Sequence, residues 1–198
     1  MLRVCRWLSL SCPIFAAVFA GLIASCSSDA PKPLETVSDF DLPRYLGDWN
    51  QIAAIPAWFQ SDCAAHTTAS YDLGDDGMVE VVNSCETADG KRKQAEARAR
   101  FVNNASDGRL EVTFVEVFGF WVWLAAGDYW IIGLDSDYQW SIVGQPSREF
   151  AWILARSESL DRQTLKETEQ ILRRAAYEPC DLLLTTPEQQ NRLCDVTR

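Results

Sequence analysis

Few residues in this chain are of a type that could do chemistry on a bound molecule. It has one histidine, His66, and that imidazole lies near a turn with no partner identifiable as an orienting group. Cys63-x-x-His66 together with Cys85 has the donor types for a zinc site, but a disulfide competes for the same sulfurs. A carboxylate such as Glu116 could move a proton on a bound molecule or orient its polar head group. The chain contains no Gly-x-Ser-x-Gly elbow, phosphate-binding loop or dinucleotide fingerprint. A lone histidine also argues against any multi-histidine metal centre. The expectation is a protein that is not an enzyme, with no cofactor and no metal.

Aromatic surface, in contrast, is plentiful. Eight tryptophans point to a large aromatic-lined interior or binding surface. Hydrophobic residues make up 47% and charged residues 23%, ordinary values for a chain long enough to bury one real core. The net charge of −10 makes nucleic acid a poor partner and gives no general pull toward anionic lipid.

The elements that must position these residues begin after an export signal. Arg3 and Arg6 precede the largely apolar run Trp7 to Ala24, so residues 1–25 read as a signal peptide. Leu22-Ile23-Ala24-Ser25-Cys26 resembles the bacterial lipobox, which implies that Cys26 becomes the lipid-modified first residue of the mature chain. An ordinary cleaved signal would leave Cys26 incidental. Ser27 in place of Asp implies, by the bacterial sorting pattern, an outer-membrane location with the protein anchored on the periplasmic face. Loss of Arg3 and Arg6 shifts the net charge from −10 to about −12. Residues 26–38, with Pro31 and Pro33, read as a lipid-anchored tether.

From Phe40 the chain becomes short strand-like runs separated by turn chemistry. The runs are Tyr45 to Pro56, Thr67 to Leu73, Met78 to Asn83, Gln94 to Val102, Arg109 to Val115, Tyr129 to Leu134, Tyr138 to Val143 and Phe150 to Ala155. Gly74-Asp75-Asp76-Gly77 is the strongest hairpin signal among the turns. A meander of strands exposes its edges unless it closes, and an antiparallel barrel removes them. Leu160 to Ala176 follows as a helix, capped by Ser159 or Asp161, with Leu165, Ile171, Leu172 and Ala175 as a thin apolar stripe. Leu182-Leu183-Leu184 reads as a last short strand. The expected folded domain is 39–186, followed by a tail over 187–198.

Three ordered motifs carry a family resemblance. Gly47-x-Trp49 entering the first strand after Phe40-Asp41 and Tyr45 resembles the lipocalin signature. Ser136-Asp137-Tyr138 resembles the second motif of that family, Thr-Asp-Tyr, and Trp152-Ile153-Leu154-Ala155-Arg156 the third. The chain looks most like the bacterial lipoprotein branch related to apolipoprotein D. The resemblance implies an all-β fold: an eight-stranded antiparallel up-and-down β-barrel, the lipocalin calyx, with one C-terminal α-helix packed outside. It implies closure of one barrel end by Gly47, Trp49, Asp137 and Arg156, with Arg156 lying across Trp49. Two departures stand out. Asn50-Gln51 replaces the common Tyr-Glu, and the stretch Val115 to Ala126 is unusually aromatic.

The resemblance also places Tyr129 and Trp152 in the cavity wall. Strand alternation from an inward Arg156 adds Leu154 and Phe150, and from Trp49 it adds Gln51, Ala53 and Ile55. Trp140 completes an aromatic wall, with Phe114, Phe118 and Trp121 toward the mouth. Small residues such as Ala53, Ala69, Ala97 and Ala99 leave space for a ligand; the alternative is a solid core. The lipocalin alignment puts Phe118, Phe120, Trp121 and Trp123 at the open mouth. There they grip a ligand tail, dip into a membrane interface, or extend a strand buried against its neighbours.

Cys63, Cys85, Cys180 and Cys194 are an even set in an exported chain, which suggests two disulfides. Cys63 and Cys85 flank the Gly74–Gly77 turn at similar distances, which favours pairing across that hairpin, although four cysteines allow three pairings. The expected function is binding, storage or transport of a small hydrophobic ligand (a fatty acid, lysophospholipid or similar membrane lipid) at the cell envelope. Alternatives are an enzyme of the same fold using a cavity carboxylate, and a docking protein using its aromatic mouth. The sequence leaves a homodimer open.

Overall fold

The computed structural model describes residues 32–185 and 191–198. After a single helical turn, α1 (Leu42–Tyr45), come β1 (Gly47–Ala54), β2 (Cys63–Leu73), β3 (Val79–Thr87), β4 (Arg92–Phe101) and β5 (Arg109–Thr113). A two-stranded excursion, β6 (Glu116–Val117) and β7 (Phe120–Trp121), precedes β8 (Gly127–Leu134), β9 (Trp140–Gly144) and β10 (Ala151–Ala155). The long helix α2 (Arg162–Arg174), a short strand β11 (Leu183–Leu184) and the turn α3 (Leu193–Val196) complete the order.

Each strand of the main sheet pairs antiparallel with its neighbour in the order β1-β2-β3-β4-β5-β8-β9-β10, and β10 pairs back onto β1. Eight strands therefore close a ring, and β11 lies outside it against β1. Closure leaves no unpaired edge in the ring, which is how a chain of short amphipathic strands satisfies its backbone. The glycine-rich turn between β2 and β3 behaves as its residues require: Gly74 donates to the Met78 carbonyl at 2.8 Å and Gly77 to the Gly74 carbonyl at 2.9 Å.

Alternation sorts the side chains into two apolar layers. Trp49, Ala69, Tyr71, Val81, Ala97, Ile131, Val143 and Leu154 fill the lower interior of the barrel. Ile52, Ala53, Trp140, Ile142, Ala151, Ile153 and Ala155 form a second layer with Leu165 and Leu172 of α2. Asp161 starts that helix by accepting from the N–H groups of Gln163 at 2.8 Å and Thr164 at 2.9 Å. Arg173 and Arg174 occupy its last turn, where positive charge suits the helix dipole. Burial of each leucine contributes about 2 kcal/mol to docking the helix.

Three sequence expectations change here. Ala53 and Ile55 belong to the outer layer, because a register shift between Gln51 and Ala53 reverses the alternation of β1. Trp140 likewise packs beneath α2, since on β9 it shares the face of Ile142. Residues 32–38, read as tether, lie against the barrel: Leu34 is only 4% exposed, and Val37 donates to the Ile131 carbonyl at 2.9 Å. Apolar side chains at Leu34 and Val37 gain burial there that Pro33 does not prevent. A Cβ on Gly108, whose φ is +65°, would come within 3.0 Å of the Val37 side chain, so glycine at that turn permits the close approach.

The C-terminal segment is equally attached. Leu193 is fully buried, and disulfides join Cys63 to Cys85 and Cys180 to Cys194. Residues 1–25, read from the sequence as a signal peptide, lie outside the described residues, as do Cys26, residues 27–31 and residues 186–190.

Candidate functional site

Above the lower interior the barrel encloses a cavity of about 640 Å³, a volume suited to a small organic ligand. Its walls come from β2 (Thr67, Ala69, Tyr71), β3 (Val81, Asn83), β4 (Gln94, Ala95), β5 (Val112), β8 (Tyr129), β9 (Val143) and β10 (Trp152, Leu154). The small side chains of Ala69 and Ala95 keep this space open, where larger residues would fill it.

The closed end is set by β1. Gly47 has φ +90°, a conformation that glycine adopts without the Cβ clash of other residues. That turn brings Trp49 fully inside, 0% exposed. Arg156, at the end of β10, places its guanidinium 3.9 Å from the centre of the Trp49 ring. The same group donates to four carbonyls: Asp48 at 2.8 Å, Arg44 at 2.9 Å, Tyr45 at 3.1 Å and Leu46 at 2.8 Å. Partial burial lowers the pKa of Arg156, opposed electrostatically by Tyr45 and Asp48. Asp137 contributes otherwise than expected. Its side chain is exposed, and only its backbone is engaged, donating to Asp135 Oδ2 at 3.1 Å. The neighbouring Tyr138 does the closing: its hydroxyl accepts from the Asp41 N–H at 2.8 Å, and Arg44 stacks 4.1 Å from its ring centre.

Just above this closure lie three phenols. Tyr129 Oη is 2.9 Å from Tyr45 Oη and 2.8 Å from Tyr71 Oη. Burial pushes the Tyr45 pKa up to about 12 and raises those of Tyr71 and Tyr129 well above the ordinary phenol value. All three hydroxyls are therefore neutral at physiological pH.

The rim is aromatic. Phe59 packs against Phe150 with ring centres 5.3 Å apart and against Trp152 at 6.5 Å. Trp152 Nε1 donates to Gln60 Oε1 at 3.3 Å, and Gln60 Nε2 donates to Gln51 Oε1 at 3.2 Å. The single turn Trp58–Gln60 thus forms part of the cavity. Sequence reasoning missed it, although an adjacent Trp-Phe pair directly after Pro56 and Ala57 is an available signal. Tyr45 and Tyr71 were also missed as a polar cluster, because strand alternation says nothing of hydroxyls meeting across a barrel.

Of the residues expected to bind ligand, Tyr129, Trp152, Phe150 and Phe114 line the cavity. Trp140 does not, being under α2. Phe118 and Trp121 are not among the lining residues either. Phe118 is 96% exposed at the tip of the β6–β7 hairpin, and Trp121 lies beneath Arg98, 5.6 Å from its guanidinium carbon. Among the described residues the strands of the hairpin pair only with each other. Glu116, on the same hairpin, is exposed and outside the lining, whereas Asp128 lines the rim. Cys63 and Cys85 are joined to each other, which takes both sulfurs from the zinc arrangement.

A family model described as a lipocalin-like domain matches residues 40–187. The chain is 36% identical over 161 residues to temperature-induced lipocalin-1 of Arabidopsis thaliana, covering 79% of this chain and 84% of that one. It is 34% identical over 169 residues to the outer membrane lipoprotein Blc of Citrobacter freundii, covering 84% and 91%. Apolipoprotein D of Mus musculus is 28% identical over 172 residues, covering 80% and 86%. Among solved structures, insecticyanin from the tobacco hornworm Manduca sexta superposes with a TM-score of 0.61 at 21% identity, over 77% of this chain and 83% of that one.

Proposed function

This chain belongs to the lipocalin family, and from that premise we propose that it binds and carries a small hydrophobic ligand in its barrel cavity. The observation that carries the proposal is the cavity of about 640 Å³, walled by Tyr129, Phe150, Trp152 and Leu154 and closed below by Trp49 and Arg156. The ligand class is a fatty acid, lysophospholipid or similar membrane lipid. Each buried methylene contributes about 0.8 kcal/mol before the entropy of association is subtracted. The protein acts as a carrier in this reading; Glu116, the carboxylate considered for acid–base work, stands outside the cavity lining, and Asp128 at the rim is placed to orient a ligand head group.

The place of action is the cell envelope. Its relative in Citrobacter freundii is named as an outer membrane lipoprotein, and Cys26 ends a lipobox-like run after an apolar segment. Lipid attachment at Cys26 would hold the barrel at the periplasmic face of the outer membrane, beside its ligands. Labelled palmitate should enter the full chain expressed in a Gram-negative host and not its Cys26→Ser variant; equal labelling of both would remove the anchor from this account.

The carrier reading is tested by adding a fatty acid brominated along its chain. Bromine quenches tryptophan on contact, so quenching should saturate at one ligand per protein and fall when Trp152 is replaced by Phe. Unquenched emission up to saturating lipid would contradict it.

The exposed hairpin supports a second role for the mouth. Phe118, Phe120 and Leu124 project into solvent beside lining residues Phe114 and Val115, as a surface that dips into the membrane interface would. Vesicle flotation should weaken in a Phe118→Ser, Phe120→Ser variant.

A further inference from the structure

The N-terminal segment meets the barrel at its open end. Arg148, in the turn between β9 and β10, donates to the carbonyls of Lys32 at 2.7 Å, Pro146 at 2.6 Å and Ala175 at 3.2 Å. That turn is part of the mouth, because Gln145 and Phe150 on either side of Arg148 line the cavity. From Lys32 the segment descends the outside of the barrel, where Val37 donates to the Ile131 carbonyl and Phe40 to the Ser106 carbonyl, both at 2.9 Å. Ser106 lies between β4 and β5, at the closed end. Lys32 and Phe40 thus mark opposite ends of the barrel. Six residues carry the chain from Cys26 to Lys32, a reach of at most about 20 Å when fully extended. A ten-residue strand such as β4 covers about 25 Å of barrel height once its tilt is allowed for. A lipid-modified Cys26 therefore holds the mouth near its membrane, on a leash shorter than the barrel it would have to pass for the closed end to touch.

Exposed apolar surface has the same polarity. Of the ten large apolar side chains exposed among the described residues, eight lie on the loops of the mouth, and only Leu73 and Val102 lie at the closed end. Trp58, Phe118, Phe120 and Leu124 are the most exposed of them. The stretch Val115 to Ala126 carries one charged residue, Glu116, so little charge must be dehydrated when it meets lipid. Its base is fixed to the barrel: Thr113 Oγ1 donates to the Val122 carbonyl at 2.9 Å, and Arg100 stacks 4.0 Å from the centre of the Trp123 ring. The net charge of −10 favours a zwitterionic surface over an anionic one. We propose that the protein stands mouth-down on the very leaflet that anchors it, with Trp58 and the β6–β7 hairpin seated in the interface, and that it loads its lipid directly from that leaflet. The proposal rests on the readings that Cys26 is lipidated and that the cavity carries a lipid.

The test uses the full chain, expressed and lipidated in a Gram-negative host and reconstituted into phosphatidylcholine vesicles. These vesicles contain a phospholipid bearing a diazirine near its glycerol backbone, and irradiation is followed by peptide mass spectrometry. Phe118, Phe120 and Leu124 should carry at least tenfold more label than Leu73 and Val102, which are apolar and exposed at the other end. Uptake into the cavity cannot imitate this result, because those three residues are not among the lining residues. Equal labelling of the two ends, or none at the hairpin, overturns the mouth-down seating and leaves the carrier function standing. The intact mass of the same sample reads the anchor, and an unacylated chain removes both the anchor and this proposal. Mixing the vesicles with protein-free vesicles of deuterated phosphatidylcholine tests the loading. Lipid recovered in the cavity should come at least tenfold more from the anchoring vesicle, and equal recovery from both overturns direct loading. Recovery of no lipid from either overturns the carrier reading itself.

Discussion

Arg156 spans the closed end of the barrel by stacking 3.9 Å from the centre of Trp49 while donating to the carbonyls of Arg44, Tyr45, Leu46 and Asp48. One planar fork thus satisfies the turn that leads into β1 and covers the largest ring of the lower core. Arg156→Ala removes the stack and leaves those carbonyls to partial hydration, at an expected cost of about 2–3 kcal/mol. Arg156→Lys should recover less than half of this, because an ammonium lacks the fork geometry. Urea denaturation followed by tryptophan emission measures both. A lysine variant as stable as wild type would show that charge alone suffices.

The two disulfides close loops of comparable length, with sequence separations of 22 and 14. Chain entropy alone predicts about 3 kcal/mol for each. The Cys180–Cys194 bridge also holds the segment bearing the buried Leu193, so replacing both of its cysteines with alanine should cost more than the same change at Cys63 and Cys85. Denaturation of the two paired variants, exported to an oxidising compartment, ranks them.

Alkaline stability follows from the buried phenols. Their folded pKa values are raised, Tyr45 to about 12 and Tyr71 and Tyr129 also upward, above the unfolded value of about 10. A raised pKa favours the protonated folded state, so its contribution is complete below pH 10 and declines as pH rises through the folded values. Each tyrosine should lower stability by up to about 1.4 kcal/mol per pH unit above 10. Denaturation midpoints at pH 8, 10 and 11 should show this decline, and Tyr71→Phe should lessen its slope by one proton.

The hairpin tip should be dispensable for folding. Phe118→Ser replaces a residue that is 96% exposed, so the expected change in stability is within about 0.5 kcal/mol. A larger loss would mean that the ring packs against something in solution.

Much of this architecture was legible in the chain. Gly47-x-Trp49, Ser136-Asp137-Tyr138 and Trp152 to Arg156 carry backbone and packing demands that appear locally, and turn chemistry divides the strands. The Asp161 cap and the Leu165–Leu172 stripe are visible for the same reason. Errors arose where geometry depends on pairing. The register shift in β1 sent Ala53 and Ile55 outward, and no local residue pattern announces such a shift. Trp140 shows the limit of aromatic counting, since both faces of β9 are buried and either could have held the ring. The tyrosine chain is legible only in three dimensions: its members lie 84 and 58 residues apart in sequence.

The most direct test of the central claim is native mass spectrometry of the chain beginning at Ser27, purified after export and compared with an Ala95→Trp variant. Ala95 lines the cavity from an exposed position on β4, so tryptophan there should occlude the space with little effect on the core. The account predicts a one-to-one lipid adduct on the wild-type protein, released on activation and strongly reduced in the variant. A wild-type protein that stays unliganded when offered fatty acids, long-chain alcohols and lysophospholipids would contradict it.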